Sequence, residues 1–153
     1  MSKRLDLLTG KVIEDKKRKR SPEADVGRAV DAYLRSIGGY VRQINSGGTM
    51  RNGKWTSSGQ GAGISDRLCW LPGGKFIAVE LKASGKKRTV SEQQVAFLVA
   101  VITSGHYGCV ADSVDCVKLA LTQSTEQQLQ AVKNLYRLPG PGRRTPGMPA
   151  WLE

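Results

Sequence analysis

The chain has 153 residues and a formal net charge of +11, from 24 Lys and Arg against 13 Asp and Glu. This length is typical of one domain with flexible ends, and the positive charge favours an anionic polymer as partner. No apolar run approaches the ~20 residues of a membrane span, and the N-terminus lacks the apolar segment of a signal peptide. We therefore expect a cytoplasmic protein that binds nucleic acid and does not associate with a membrane.

The cysteines do not follow a disulfide or metal pattern. Cys69, Cys109 and Cys116 are odd in number and lack Cys-x-x-Cys spacing, which favours a reducing compartment. His106 lies near Cys109, so zinc is an alternative, but tetrahedral zinc sites usually use close ligand pairs. Two of these cysteines lie in apolar runs, where a free thiol packs as a small apolar side chain. Zinc is therefore the weaker interpretation, and we expect no small-molecule cofactor.

Composition divides the chain into three parts. Residues 1–20 form a basic arm that ends in KKRKR and could lie along phosphates or simply be a solvated tail. Residues 21–123 contain the apolar periodicity of a globular core. Residues 124–153 combine one weak amphipathic helix, predicted over 125–138, with a tail too rich in Pro and Gly for regular structure.

The first half of the core begins with a helix. Ser21 is a favourable N-cap, Pro22 suits the first helical position, and Glu23 places an acid in the first turn. Apolar residues then recur at helical spacing up to the Gly38-Gly39 pair. A strand is predicted over 40–45, followed by a long Gly/Ser-rich loop over 46–63, and loops of this length are usually functional or disordered.

The second half alternates strands and helices. Residues 64–71 and 75–82 read as two strands joined by the tight turn Pro72-Gly73-Gly74. Ser91 then begins a helix that Gly105 ends, a strand follows over 107–112, and a short element covers 114–121. The resulting order α-β-β-β-α-β predicts an α/β fold with a central mixed β-sheet flanked by helices.

The hairpin turn fixes which residues face each other. With Gly73 at the turn centre, facing residue numbers sum to 146, so that Asp66 faces Glu80. Strand periodicity places Lys82 on the same sheet face as Glu80. Directly opposed carboxylates repel one another, and a divalent cation held by oxygen ligands would relieve that repulsion.

Two acids, a lysine and a metal ion are sufficient for phosphodiester hydrolysis. A metal held by carboxylates can bind a phosphate oxygen and acidify a bound water. A nearby ammonium can orient that water and offset charge developing on the phosphate. The alternative is an ion-pair cluster at a strand end, formed by Lys82 with Glu80 or Asp66. Exposed pairs of that kind are common and contribute little energy.

At these residues the chain resembles a known family. Asp66 followed by Glu80-Leu81-Lys82 is similar to the PD-(D/E)xK nuclease motif, and the segments GISD, GGKFIAVELK, SEQQ and SGHYGCVADS, after an early helix carrying Glu23, resemble its VRR-NUC branch. The resemblance covers about residues 21–115 and implies a restriction-endonuclease-like fold. The chain departs from the family at Ser65, because members of the family often have Pro before the Asp.

The resemblance also implies roles for individual residues. It assigns Asp66 and Glu80 as ligands of Mg²⁺, or of Mn²⁺ as a substitute, with the Leu81 carbonyl as a further ligand and Glu23 approaching from the first helix. Lys82 would be the catalytic lysine, and Gln94 would support the site. Glu23 also suits a helix first turn, and the Ser91-x-x-Gln94 spacing is that of a capping box.

Basic residues outside this set are candidates for contact with DNA. Arg42 lies on the strand before the long loop, and two basic residues lie in that loop beside Trp55. Three more follow the strand that carries Glu80 and Lys82. Ordinary solvent-facing positions explain these residues as well. The candidate DNA-binding residues are Arg42, Arg51, Lys54, Lys86, Lys87 and Arg88.

The resulting expectation is a Mg²⁺-dependent, structure-selective DNA endonuclease. The resemblance implies a stand-alone viral or bacteriophage type, similar to Holliday-junction resolvases, that would act as a homodimer on branched DNA in the host cytoplasm. Two alternatives stay open: a non-catalytic basic DNA-binding module, and a restriction-type or nicking nuclease on the same core. RNA is not excluded as a substrate.

Overall fold

The computed structural model describes residues 3–5, 12–14, 21–44, 49–51, 54–56, 63–84 and 90–135, with backbone only at 3–5, 12–14, 49–51 and 54–56. Four helices are described: α1 Pro22–Ser36, α2 Glu92–Thr103, α3 Val114–Thr122 and α4 Thr125–Leu135. The strands are β1 Lys3–Leu5, β2 Val12–Glu14, β3 Tyr40–Gln43, β4 Thr49–Arg51, β5 Lys54–Thr56, β6 Arg67–Trp70, β7 Phe76–Leu81 and β8 Tyr107–Ala111.

The central sheet has four strands in the order β3-β6-β7-β8. β3 pairs with β6 and β6 with β7 in antiparallel fashion, whereas β7 and β8 are parallel. A parallel neighbour requires a long crossover, which α2 provides. The order α1, β3, β6, β7, α2, β8 confirms the predicted α/β fold with a mixed sheet flanked by helices.

α1 begins and ends where its sequence indicates. The Ser21 hydroxyl accepts a hydrogen bond from the Ala24 backbone N–H at 3.2 Å, and Pro22 opens the helix. After the helix, Gly38 adopts a φ of +83°, which favours glycine. At Gly39 a Cβ would lie 2.5 Å from Cys69 Sγ and 2.7 Å from the Leu34 carbonyl oxygen, so the turn into β3 needs the missing side chain.

The strand β7 separates two apolar clusters. Ile77, Val79 and Leu81 pack on one face of the sheet with the buried side of α1, which includes Val30 and Leu34. Ala78 packs on the other face with the apolar side of α2, which carries Val95, Leu98, Val99 and Ile102. β7 is therefore buried on both faces, and any charged side chain on it must have compensating partners.

The predicted hairpin register is confirmed over the paired residues. Trp70 faces Phe76, Leu68 faces Ala78, and Arg67 faces Val79, so each facing pair sums to 146. The turn Pro72-Gly73-Gly74 has both glycines at positive φ. Asp66 lies one residue before the last of these pairs, at the mouth of the hairpin.

Two segments differ from the sequence prediction. The basic arm carries an antiparallel pair, β1 with β2, and the predicted loop 46–63 carries another, β4 with β5. Both pairs join strands of three residues, too short to produce a readable alternation, and the prediction gave weight to the charge and glycine content instead. The C-terminal helix ends at Leu135 in the described part of the chain.

No helix within the described ranges could cross a membrane. The longest of them, α1, has 15 residues, fewer than the ~20 apolar residues that a bilayer core requires.

Candidate active site

Glu80 is a buried acid on the sheet face that α2 covers. It is 2% exposed, and its Oε1 accepts hydrogen bonds from Lys82 Nζ at 2.7 Å and from Gln94 Nε2. Its second oxygen, Oε2, is buried without a hydrogen-bond partner among the described residues. A buried carboxylate oxygen in this state is energetically costly and is a reason to look for a cation.

Asp66 reaches the end of the same strand. Its Oδ2 accepts a hydrogen bond from the Leu81 backbone N–H at 2.9 Å, which ties the start of β6 to the end of β7. The strand pairing ends at Arg67 and Val79, so Asp66 and Glu80 do not form a ladder pair as predicted, and the Asp66 carboxylate instead contacts Leu81, the residue after Glu80.

The surroundings of Glu80 disfavour its ionised form. Burial raises the pKa of Glu80 from 4.5 to about 7, the Lys82 ammonium opposes that rise, and the Asp66 carboxylate adds to it. One lysine therefore does not compensate the buried negative charge. An additional positive charge between the two acids would lower that pKa again.

Gln94 has two roles in the geometry. Its Oε1 accepts from the Ser91 backbone N–H at 3.0 Å, while the Ser91 hydroxyl accepts from the Gln94 backbone N–H at 3.3 Å, which completes the predicted capping box. Its Nε2 donates to Glu80 Oε1. The same amide thus caps α2 and orients Glu80, so both interpretations of this residue describe real contacts.

A cleft of about 560 Å³ opens beside Asp66, between α1 and the ends of the strands. Glu23, from the first turn of α1, lines this cleft together with Asp66 and Leu81. The structure thus brings three of the four predicted metal-ligating residues to one cleft. The fourth, Glu80, contacts Lys82 and Gln94 on the α2 face.

The carboxylates of Asp66 and Glu80 suit a hard cation, although they are not part of a preformed cluster of three ligands. Within the part of the chain that the structure describes, no three His, Cys, Asp or Glu side chains are close enough together to hold a metal ion. Asp66 and Glu80 supply carboxylate oxygens, the chemistry that Mg²⁺ prefers, with remaining positions generally left to water. The thiols do not compete, since Cys69 is buried and its pKa is raised by that burial.

The sequence did not predict the ion pair between Asp31 and Arg67, which lies next to Asp66. Arg67 Nε donates to Asp31 Oδ1 at 2.7 Å, and Arg67 Nη1 donates to the Asp66 carbonyl oxygen at 3.1 Å. The Arg67 and Asp31 side chains are 9% and 15% exposed. α1 therefore is joined to the start of β6 by a nearly buried pair. The available signal was an arginine within an apolar strand, which calls for a partner.

The predicted DNA-binding residues have different outcomes. Arg42 lies exposed on β3, with its guanidinium 5.8 Å from the centre of the Tyr40 ring. Arg51 and Lys54 face each other in the pair of β4 and β5, where only the backbone is described. The predictions for Lys86, Lys87 and Arg88 lie outside the described residues.

Comparison with known proteins gives a structural likeness but no match in sequence. No protein-family model matches the chain, and no curated protein matches it. A solved structure described as a VRR_NUC domain aligns with a TM-score of 0.49 at 20% sequence identity, over 67% of this chain and 96% of that chain. A likeness at this level assigns no activity, so the function must be argued from the side chains of this chain.

Proposed function

We propose that this protein is a metal-dependent endonuclease that hydrolyses phosphodiester bonds in DNA. The observation that carries the proposal is Glu80: a buried carboxylate with one unpartnered oxygen, next to Asp66 and 2.7 Å from the Lys82 ammonium. A purely structural ion pair would not need a second acid beside it. This set of groups suits charge stabilisation and water activation at a phosphate.

We assign Mg²⁺, with Mn²⁺ as a substitute, as the cofactor. Asp66 and Glu80 would hold it through carboxylate oxygens, with the Leu81 carbonyl and Glu23 completing the set from the strand end and the first helix. When bound, a divalent cation supplies a water of lowered pKa and binds a phosphate oxygen. Among the described residues, Glu80 Oε2 is a buried carboxylate oxygen without a hydrogen-bond partner, and such a neighbour would compensate it.

The chain's own residues have separate tasks in this proposal. Lys82 orients the attacking water and offsets negative charge on the phosphate oxygens, since its side chain is 21% exposed and can reach them. Gln94 holds the Glu80 carboxylate through Nε2, and the Leu81 N–H holds Asp66. Fixed hydrogen bonds of this kind keep catalytic carboxylates in one rotamer before substrate binds.

The proposal also specifies which kind of DNA is the substrate. The charge of +11 favours a polyanion, and the resemblance to VRR-NUC nucleases of the PD-(D/E)xK type, many of them from bacteriophages, points to branched DNA such as Holliday junctions. Cutting two strands of a junction needs two active sites, which a twofold homodimer would provide. Matched linear duplex is the substrate that a restriction-type or nicking nuclease would cut instead.

The experiment compares a four-way junction with a matched linear duplex in Mg²⁺, in Ca²⁺ and without divalent cations. We expect Mg²⁺-dependent cleavage of the junction, and binding with much weaker turnover in Ca²⁺. Glu80→Gln should abolish cleavage, whereas the exposed Glu126→Gln serves as a matched control and should not alter it. Equal cleavage by both variants would remove Glu80 from the mechanism.

One observation favours a second candidate, a non-catalytic DNA-binding module. The described residues do not include a ready cluster of three metal-ligating side chains. Acids that face phosphate weaken binding unless a cation is present, however, so a binding module would gain nothing from Asp66 and Glu80. Binding that is indifferent to Mg²⁺, together with no cleavage of any DNA, would establish this alternative.

A further inference from the structure

One face of the sheet is only partly covered. α2 packs over β7 on this face and contributes to an apolar cluster with Ala78. On the neighbouring strands β3 and β6, two aromatic side chains of the same face are open to solvent, with Tyr40 61% and Trp70 50% exposed. Large aromatic side chains at this exposure on adjacent strands indicate a surface that another molecule covers.

The rings form a continuous row across three strands, exposed at Tyr40 and Trp70 and half-buried at Phe76. Tyr40 faces Trp70, and Trp70 faces Phe76 in the strand register. The ring centres of Tyr40 and Trp70 are 6.1 Å apart, those of Trp70 and Phe76 are 5.4 Å apart, and His106 continues the row 6.0 Å beyond Phe76. Edge-to-face and tilted contacts of this kind hold each ring in a fixed orientation.

The row lies on the sheet face that carries Glu80, the face that α2 partly covers. Phe76 and Glu80 are four residues apart on β7, and strand alternation places them on the same side of the sheet. At the rise of a β-strand this separation is about 13 Å, the length of about four stacked nucleotides at the rise of one DNA strand. Since α2 covers Ala78 between them, a strand of nucleic acid would extend to the row beside that helix, past the exposed Arg42 on β3.

Charge on this face matches the same partner. Arg42 is exposed, lies two residues along β3 from Tyr40, and places its guanidinium 5.8 Å from the Tyr40 ring centre. An aromatic surface with an embedded cation is complementary to bases joined by phosphates. Paired bases already have both faces stacked within the duplex, so only unpaired bases can stack on exposed rings.

We propose that the row of Tyr40, Trp70 and Phe76, with Arg42, binds unpaired bases of a DNA strand that leads to the active site. This inference rests on the proposed function for the identity of the polymer, and adds a preference for DNA with single-stranded segments. Trp70 is the central residue of the row, because it contacts the rings on both sides and is half exposed.

The test measures binding without divalent cations, so that it does not depend on the metal site or on cleavage. Fluorescence anisotropy of a labelled oligothymidine strand and of a matched duplex is recorded for the wild type, Trp70→Ala, Trp70→Phe and Leu119→Ala. Leu119 is a matched control, an apolar residue 57% exposed on α3. Thermal unfolding of each variant shows whether it folds. If Trp70→Ala does not fold, the comparison uses Trp70→Phe, which retains an aromatic ring.

We expect Trp70→Ala to weaken single-strand binding about tenfold, the loss of about one stacked base, and to change duplex binding less than twofold. Trp70→Phe should retain most of the single-strand affinity, and Leu119→Ala all of it. Unchanged or equally weakened binding of both DNAs by Trp70→Ala overturns the proposal. So does sedimentation in which Trp70→Ala converts a wild-type dimer to a monomer, since the row would then be an interface between copies. A protein that cleaves no DNA but shows the expected binding pattern refutes only the proposed nuclease function.

Discussion

Replacing Glu80 by glutamine should stabilise the protein in the absence of divalent cations. The rise in the pKa of Glu80 from 4.5 to about 7 corresponds to about 3 kcal/mol disfavouring the ionised form in the folded state. The amide keeps an oxygen that accepts from Lys82 and Gln94, and it replaces the unpartnered Oε2 with an N–H₂ group near Asp66. Burial without a net charge therefore costs less than the burial of the carboxylate.

The effect has a definite pH dependence. Because the folded-state pKa is raised, the folded protein binds more protons than the unfolded chain between pH 4.5 and about 7. The stability that protonated Glu80 contributes is thus fully present below 4.5 and is lost as the pH rises through about 7. The advantage of Glu80→Gln should accordingly be about 3 kcal/mol above pH 7 and below about 1 kcal/mol near pH 5.

Urea unfolding with EDTA at pH 5 and at pH 8 measures this difference. The control Glu126→Gln alters an exposed acid whose pKa is lowered by its hydrogen bond with Ser124, so it should show no gain at high pH. A Glu80→Gln advantage of the same size at both pH values would mean that the charge of Glu80 is not the cause. A loss of stability at pH 8 would refute the account of this carboxylate.

Three further predictions concern the metal and the support of the site. Mg²⁺ should raise the melting temperature of the wild type at pH 8 but not that of Glu80→Gln, and equal shifts would place the binding elsewhere. Gly27→Ala should destabilise by up to about 2 kcal/mol, the overpacking cost less the helix propensity that alanine gains over glycine, because a Cβ would lie 2.8 Å from Arg67 Nη2 and 2.9 Å from Leu81 Cδ1; a variant more stable than the wild type would contradict this packing. Asp31→Ala should cost about 3–5 kcal/mol by leaving the Arg67 charge uncompensated, and Asp31→Leu combined with Arg67→Met should recover much of that loss if the pair is buried as described.

The sequence predicted the hairpin because its turn is local. Pro72-Gly73-Gly74 determines the register, and the register brings Asp66 to the end of β7, near Glu80 and Leu81. The apolar alternation of Ile77, Val79 and Leu81 then sets which face carries the charge. No element outside the hairpin was needed to place these side chains.

Longer-range partners could not be predicted in this way. Asp31 and Arg67 are 36 residues apart in sequence, and nothing local to either residue indicates the other. The aromatic row depends on the pairing of β3 with β6, which are separated by a long connection and not by a turn of defined type. The hairpin register predicts that Trp70 faces Phe76, but Tyr40 appeared as an isolated aromatic on a separate predicted strand.

The central claim is that Lys82, beside Glu80, acts at the phosphate, and cleavage rates at saturating DNA test it most directly. Wild type, Lys82→Ala and Lys118→Ala are compared in Mg²⁺, where Lys118 is an exposed lysine on α3, 3.2 Å from an acid in its own helix. The account predicts a rate about 10²–10³-fold lower for Lys82→Ala, with Lys118→Ala unchanged. Cleavage by Lys82→Ala at the wild-type rate would contradict it.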